Sequence, residues 1–280
     1  MQSISNLSGG AIKEIFGRDK VLIGMIHCPP FPGAPRYRGA GMKAILDDCL
    51  RDAEALVDGG IHGLIIENHG DIPFSKPDDI GPETAACMAV VTDRIGRATG
   101  VPLGINVLAN APLPALAAAV AGGARFIRVN QWANAYVANE GFIEGRAGEA
   151  MRYRASLRAD DVKIFADSHV KHGAHAIVAD RSIEELTRDL AFFDADAVIA
   201  TGQRTGHAAS IEEIETIGGA THLPVLVGSG VNEGNVVAIL ERTAGVIVAS
   251  SLKVGGVWWN PVDPDRVRSF VAAAAPALEA

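Results

Sequence analysis

The sequence predicts a single (β/α)8 barrel, the TIM-barrel fold, with its active face at the carboxyl ends of the strands. Eight short apolar segments alternate with helical patterns, which is typical of a parallel sheet covered by helices. The length of 280 residues is close to the roughly 250 of a typical barrel. No linker or change in composition divides the chain, so we expect residues 1–280 to form one domain.

The first half of the chain supplies four strand patterns, VLIGMIH, GLIIEN, VPLGINVLAN and RFIRVN, after a short lead-in helix at about residues 8–17. Helical spacing of apolar residues from 45 to 57 and from 82 to 97, and the alanine-rich PALAAAVAGG, predict the helices between them. The loop QWANAYVANEGFIEG is long for a strand-to-helix connection, and such loops are often lids or substrate loops.

The second half supplies the remaining strands, VKIFADSHVKH, DAVIATGQRTG, PVLVGSG and GVIVASSLK, with a helix predicted over 146–158 before the first of them. Ser182 with Glu185 and Ser210 with Glu213 match the capping box that begins a helix, and Asp263 before a proline begins the last helix. The alternative fold is an open doubly wound sheet. It requires a glycine-rich fingerprint after the first strand, where the chain has the proline-rich CPPFPGAPRY.

Composition and charge exclude several classes of partner. The net charge of −8, without a basic cluster, argues against nucleic-acid binding. The three cysteines, Cys28, Cys49 and Cys87, contain no CxxC pair, which argues against a disulfide framework and favours a cytoplasmic location. No apolar run is long enough for an integral membrane segment. Alanine-rich helices, if exposed, favour a homo-oligomer.

Two glycine- and serine-containing loops follow the predicted seventh and eighth strands, where barrels commonly hold a phosphate. Glycine lets the backbone approach an anion, serine donates further hydrogen bonds, and the following helix start adds its positive end. Arginine adds bidentate recognition of phosphate. The alternative is that these residues only form tight turns. The predicted substrate- or phosphate-binding residues are Asn68, Arg128, Arg204, Gly228, Ser229, Gly230, Ser250 and Ser251.

The candidate catalytic groups lie at the ends of other strands. Strand alternation in ADSHVKH would point Asp167, His169 and Lys171 to the same side, as general acid, general base or Schiff-base nucleophile. Glu67 closes an apolar strand as a base candidate, and Asn106 would orient a hydroxyl group. The alternatives are an internal salt bridge in ADSHVKH and an ion pair between Glu67 and Lys171 or Arg128.

The cofactor is left open by the sequence, with a divalent metal ion as the candidate. Glu67, Asp71 and Asp167 are the carboxylates that would surround such an ion. His27 ends the first strand as a possible substrate contact, but a lone histidine there is nearly as often a satisfied internal residue.

Seven motifs follow one another along nearly the whole chain: VLIGMIHCPPFPGAPRY, GLIIENHGDIPF, PLGINVLAN, FIRVN, DSHVKH, VLVGSGV and SLKVGG. In this order they resemble the BtpA/SgcQ family of predicted TIM-barrel proteins. The resemblance implies a barrel. It also implies either a role like that of cyanobacterial members, which are associated with photosystem I biogenesis, or one like that of bacterial relatives found with sugar-utilisation genes. VNQWANAYVANEG departs from the family pattern. The candidate residues inside the motifs are Glu67, Asn68, Asp71, Asn106, Asp167, Lys171 and Ser229.

The sequence therefore predicts a metabolic enzyme that acts on a small phosphorylated metabolite, a sugar phosphate or a nucleoside-type phosphate, by lyase or isomerase acid–base chemistry. Glu67 or Asp167 would be the base, and Lys171 the electrophile or Schiff-base former. The alternatives are a non-catalytic assembly factor of the photosystem I biogenesis type and a metal-dependent hydrolase.

Overall fold

A computed structural model describes residues 10–171, 173–202 and 209–279. Eight parallel strands close into a barrel in the order β1-β10-β9-β8-β7-β4-β3-β2, and β5 and β6 form a separate two-stranded sheet. The fold-class prediction is confirmed. The strands are β1 Val21–His27, β2 Gly63–Glu67, β3 Leu103–Asn106, β4 Phe126–Val129, β5 Ala135–Ala138, β6 Gly141–Glu144, β7 Lys163–Asp167, β8 Ala197–Ala200, β9 Val225–Val227 and β10 Gly245–Val248.

Helices cover the outside of the barrel. The capping predictions are confirmed, because the hydroxyl groups of Ser182 and Ser210 accept hydrogen bonds from the amides three residues later, and the Asp263 carboxylate caps the last helix. The helices are α1 Ala11–Phe16, α2 Gly41–Asp58, α3 Pro82–Thr99, α4 Pro112–Gly122, α5 Ala147–Ser156, α6 Ile183–Phe192, α7 Ile211–Ala220, α8 Val236–Leu240 and α9 Pro264–Leu278.

The barrel interior is filled by apolar side chains and closed at one end by α1. Ile12 and Ile15 of α1 belong to the same buried cluster as Ile23, Phe126 and Leu226 of the strands. The two phenylalanine rings of that cluster, Phe126 and Phe165, stack with centroids 4.4 Å apart. Since the amino-terminal end of the barrel is filled in this way, the opposite end is left for a functional site.

One prediction about a loop needs correction. The predicted fifth strand ends at Asp167, so His169 and Lys171 lie in the following loop and are not placed by strand alternation. Beyond the strand, the Ser168 hydroxyl group pairs with that of Thr187 of α6 at 2.7 Å. The long loop after β4 forms the β5–β6 hairpin.

The alanine-rich helix α4 packs inside its own chain. Ala115, Leu116, Ala118 and Ala119 are all buried in the main hydrophobic cluster. The homo-oligomer that exposed alanine-rich helices would favour stays a prediction. No helix in the described ranges is long and apolar enough to cross a membrane.

A buried ion pair ties α2 to the loop after β10. The Lys253 ammonium lies 3.4 Å from Asp52 Oδ2, and the side chains are 2% and 10% exposed. Asp52 Oδ1 also accepts a hydrogen bond from the amide of Val262 at 3.1 Å. Because a buried charge is costly without its partner, this pair should hold the β10 loop in place.

We expect Asp52→Ala to lower the free energy of unfolding by about 3–5 kcal/mol, because Lys253 would stay buried without a counter-ion. Asp47→Ala on the same helix is the matched control. Its partner Lys43 is exposed, so that variant should lose no more than about 1 kcal/mol. Urea unfolding monitored by circular dichroism measures both. Equal losses in the two variants would show that the buried pair has no special role.

Candidate active site

A cavity of about 420 Å³ opens at the carboxyl ends of the strands. Its size is that of a small-molecule site. Many of the residues proposed from the sequence line its wall, while others lie behind the wall. The predicted residues that line it are Glu67, Arg128, Lys171, Gly228, Ser229, Gly230, Ser250 and Ser251. Arg204 lies outside the described residues.

Arg128 and Asp167 bind each other. The guanidinium Nε and Nη2 each donate to one carboxylate oxygen of Asp167 at 3.0 Å, and Asn130 donates to the same carboxylate at 3.1 Å. Despite its burial, the pKa of Arg128 is raised by this carboxylate. Asp167 is therefore a counter-ion and not the free base or metal ligand that the sequence suggested. The edge of the Arg128 guanidinium that could hold a phosphate through two hydrogen bonds is likewise occupied by Asp167.

Asn106 lies beneath this pair. Its side-chain amide nitrogen donates to the backbone carbonyl of Arg128 at 3.1 Å and to Asn130 Oδ1 at 3.3 Å. The side chain is buried and does not line the cavity. The structure thus places Asn106 as a support for the Arg128–Asp167 pair, whereas the sequence suggested direct contact with a substrate hydroxyl.

Asn68 and Asp71 hold three loops together. Asn68 accepts a hydrogen bond from the amide of Leu108 at 2.7 Å, and its side-chain nitrogen donates to the Leu108 carbonyl and to Asp71. Asp71 also accepts from the amide of Phe31 at 2.8 Å. Burial raises the pKa of Asp71, and these hydrogen bonds oppose the rise. Neither side chain lines the cavity, contrary to their predicted roles in phosphate and metal binding.

His169 is directed away from the cavity and stacks against His175, with ring centroids 3.9 Å apart. Burial and the neighbouring His175 lower its pKa to about 4. The predicted grouping of Asp167, His169 and Lys171 is therefore wrong, and of the three only Lys171 reaches the cavity.

The Lys171 amine faces the loop after β9, where its Nζ lies 3.4 Å from Ser229 Oγ. Burial lowers the pKa of Lys171, and the charge of Arg128 lowers it further, while Glu67 and Asp167 oppose the shift. A larger share of this amine is therefore neutral at a given pH than for a solvated lysine.

The loops after β9 and β10 form one wall of the cavity. The Ser251 hydroxyl group donates to the Val231 carbonyl at 2.7 Å and joins the two loops. Among described residues, the amides of Gly230 and Val231 find no hydrogen-bond acceptor, whereas the Gly228 amide donates to the Ala200 carbonyl and continues the sheet. The predicted helix dipole does not reach this wall, because α8 has five residues and begins at Val236.

Glu67, a leading candidate from the sequence, forms a cluster with two histidines, of which His27 was given little weight and His69 was missed. His27 and Glu67 are paired across β1 and β2, and His27 Nε2 lies 3.6 Å from Glu67 Oε2. His69 follows two residues later, with its ring edge-on to that of His27 at 4.5 Å and stacked on Trp258 at 4.1 Å. Burial lowers the pKa of both imidazoles. The sequence signal was a histidine at the end of β1 together with the pattern Glu-x-His at the end of β2, the neighbouring strand.

The β5–β6 hairpin forms one side of the cavity. Tyr136 and Asn139 of this hairpin line the cavity. Backbone hydrogen bonds of 3.1 and 2.8 Å between Val137 and Ala174 join it to the loop that carries Lys171. Burial raises the pKa of Tyr136, so its phenol is neutral.

Comparison with known proteins agrees with the resemblance in the motifs. The profile of the BtpA family matches residues 18–276. The chain belongs to the BtpA family. An uncharacterized protein of Archaeoglobus fulgidus is 42% identical over 91% of this chain and 99% of its own length. The photosystem I biogenesis protein BtpA of Synechocystis is 37% identical over 95% of this chain and 92% of its own length.

Among solved structures, this BtpA-family chain resembles (S)-3-O-geranylgeranylglyceryl phosphate synthase from Thermoplasma acidophilum. That structure contains the substrate sn-glycerol-1-phosphate and superposes with a TM-score of 0.58 over the whole of both chains, at 13% sequence identity. At this identity the likeness demonstrates the shared barrel fold.

The lowered pKa of Lys171 predicts that its amine reacts at lower pH than a solvated lysine, because only the neutral amine attacks an acylating reagent. Trace labelling with acetic anhydride across a pH series, read by peptide mass spectrometry, gives the midpoint of reactivity. We expect the midpoint for Lys171 to lie below that of a lysine reference compound, with pKa about 10.4, in the same tube. A midpoint at or above the reference would contradict the desolvated environment.

Proposed function

We propose that this BtpA-family protein is an enzyme acting on a small phosphorylated metabolite by acid–base chemistry of the lyase or isomerase type. The observation that carries the proposal is the position of Lys171, whose Nζ lies 3.4 Å from Ser229 Oγ at the wall formed by the β9 and β10 loops. A half-buried amine, hydroxyl groups and amide donors converge there on one side of a small-molecule cavity.

The charge of this wall supports binding of an anion. Arg128 is neutralised by Asp167, so among the described residues that line the cavity Lys171 is the cationic side chain that faces the serine-containing loops. The amides of Gly230 and Val231, which have no acceptor among the described residues, would donate to phosphate oxygens, as backbone amides do in anion-binding loops. A phosphate bound there would stabilise the charged form of Lys171 and offset its desolvation.

Glu67 is the group that best serves as the base. It lines the same cavity, its side chain is 9% exposed, and His27 is its only ion-pair partner among the described residues. The proposed ion pair of Glu67 with Lys171 or Arg128 is absent within those residues. The likeness in fold to an enzyme that binds sn-glycerol-1-phosphate lends support by analogy.

Binding of inorganic phosphate and of sn-glycerol-1-phosphate tests the anion site, measured by isothermal titration calorimetry. A charge-assisted hydrogen bond contributes about 1.5–3 kcal/mol, so Lys171→Met should weaken binding about tenfold to a hundredfold. Ser229→Ala should cost about 0.5–1.5 kcal/mol, or twofold to tenfold. The matched control is Lys43→Met, which removes an exposed lysine of α2.

Unchanged affinity in Lys171→Met would overturn the assignment of the phosphate site, as would equal losses in Lys171→Met and Lys43→Met. Trapping of a carbonyl substrate on Lys171 with borohydride would separate a Schiff-base mechanism from simple anion binding.

A second candidate function is a non-catalytic assembly factor. It is favoured by the identity of 37% to a photosystem I biogenesis protein over 95% of this chain. In that case the barrel would serve for binding, and Glu67→Gln would leave the cellular role intact. If the protein acts as an enzyme, the same variant would lose its activity.

A further inference from the structure

We propose that His27, Glu67 and His69 bind one divalent ion of a first-row transition metal, of which Zn²⁺ is the type, at the mouth of the barrel. The donor atoms of these three side chains all lie within 4.8 Å of one another, the one such group among the described residues. Asp71 and Asp167, which the sequence suggested as ligands, are engaged elsewhere.

The tautomer of His27 leaves one ring nitrogen available to a metal ion. Its Nδ1 lies 3.2 Å from the backbone carbonyl of Trp258, which only accepts hydrogen bonds, so Nδ1 carries the proton. The lone pair on Nε2 is therefore free. Such a hydrogen bond from the second ring nitrogen to a carbonyl is the arrangement that orients metal-binding histidines in proteins.

The space between His27 and Glu67 matches the separation of two ligands of one ion. Nε2 and Oε2 are separated by 3.6 Å, which is too long for a hydrogen bond between them. Two ligands bonded at about 2.1 Å to one tetrahedral ion would lie about 3.4 Å apart. Within the described residues, no donor forms a hydrogen bond with the buried Glu67 carboxylate, which a cation would stabilise.

His69 supplies the third potential ligand. Its Nδ1 is buried without a hydrogen-bond partner among the described residues, although buried polar atoms are nearly always paired. The ring is held by stacking on Trp258. The next residue, Gly70, donates from its amide to the Cys28 carbonyl at 3.0 Å, and a Cβ there would lie 2.5 Å from the Pro30 nitrogen. Only glycine allows this close approach, which brings His69 beside His27.

The ligand types select the metal. Two imidazoles and one carboxylate suit Zn²⁺ and iron-class ions, whereas Mg²⁺ prefers oxygen ligands alone. Three protein ligands leave at least one coordination position for substrate or water, and with Glu67 bound to the ion a metal-bound water would take the role of base. Glu67 and His69 line the same cavity as Lys171, so an ion here would polarise an oxygen of a substrate whose phosphate lies at the β9 and β10 loops. This last step rests on the proposed function, while metal binding itself does not.

The test uses the full chain without a polyhistidine tag, stripped by a chelator and titrated with Zn²⁺ against a chromophoric competitor. We expect one Zn²⁺ per chain, and a loss of affinity of about 100-fold or more in His27→Gln, Glu67→Gln and His69→Gln, since even outer-shell changes cost about 10–100-fold. His222→Gln is the matched control, because His222 is exposed on the surface. It should bind as the wild type does.

Co²⁺ substitution provides a second readout that does not depend on the variants. We expect the wild-type protein to show a visible absorption band of four- or five-coordinate Co²⁺. The band should disappear when Zn²⁺ displaces the Co²⁺. Absence of stoichiometric Zn²⁺ and Co²⁺ binding overturns it, and so does unchanged binding in all three variants. Phosphate affinity in the metal-stripped protein separates the two proposals, because the anion site should survive removal of the metal.

Discussion

Closure of a parallel barrel sends the carboxyl ends of all eight strands to one rim, and this constraint determines where polar groups can lie. Side chains at those ends enter a space with little water, so each must find a partner or leave a charge uncompensated. The other end is filled by apolar residues and α1. The chemistry of the molecule is therefore confined to one face, and the question for each polar residue is whether its bonding needs are met within the fold.

By that criterion the polar residues at the rim divide into two groups. Those of the first group satisfy one another: Asp167 with Arg128 and Asn130, Asn68 with Asp71 and the Leu108 backbone, and Lys253 with Asp52. They fix the loops. Those of the second group meet at the cavity with bonding that the described residues leave incomplete, as with the carboxylate of Glu67 and the Nδ1 of His69. A buried group that the fold leaves unpaired is more informative about function than one in a complete network.

The sequence was sufficient for the barrel because strand length, helix caps and loop composition are local properties. The Ser182 and Ser210 caps illustrate this, since the interaction spans three residues. The site depended on pairing between distant segments. Asp167 was assigned as a base because its partner Arg128 lies 39 positions away. His69 was missed because its importance comes from neighbours on β1 and in the loop after β10.

The errors at the predicted fifth strand have the same cause. Alternation of side chains holds only while the backbone stays in the sheet, and β7 leaves it after Asp167. The loop then directs His169 towards His175 and brings Lys171 to Ser229. Lys171 thus reaches the cavity through a loop that is itself paired with the β5–β6 hairpin, the segment that departs from the family motifs. The hairpin therefore contributes both to the wall of the cavity and to the anchoring of the loop that carries Lys171.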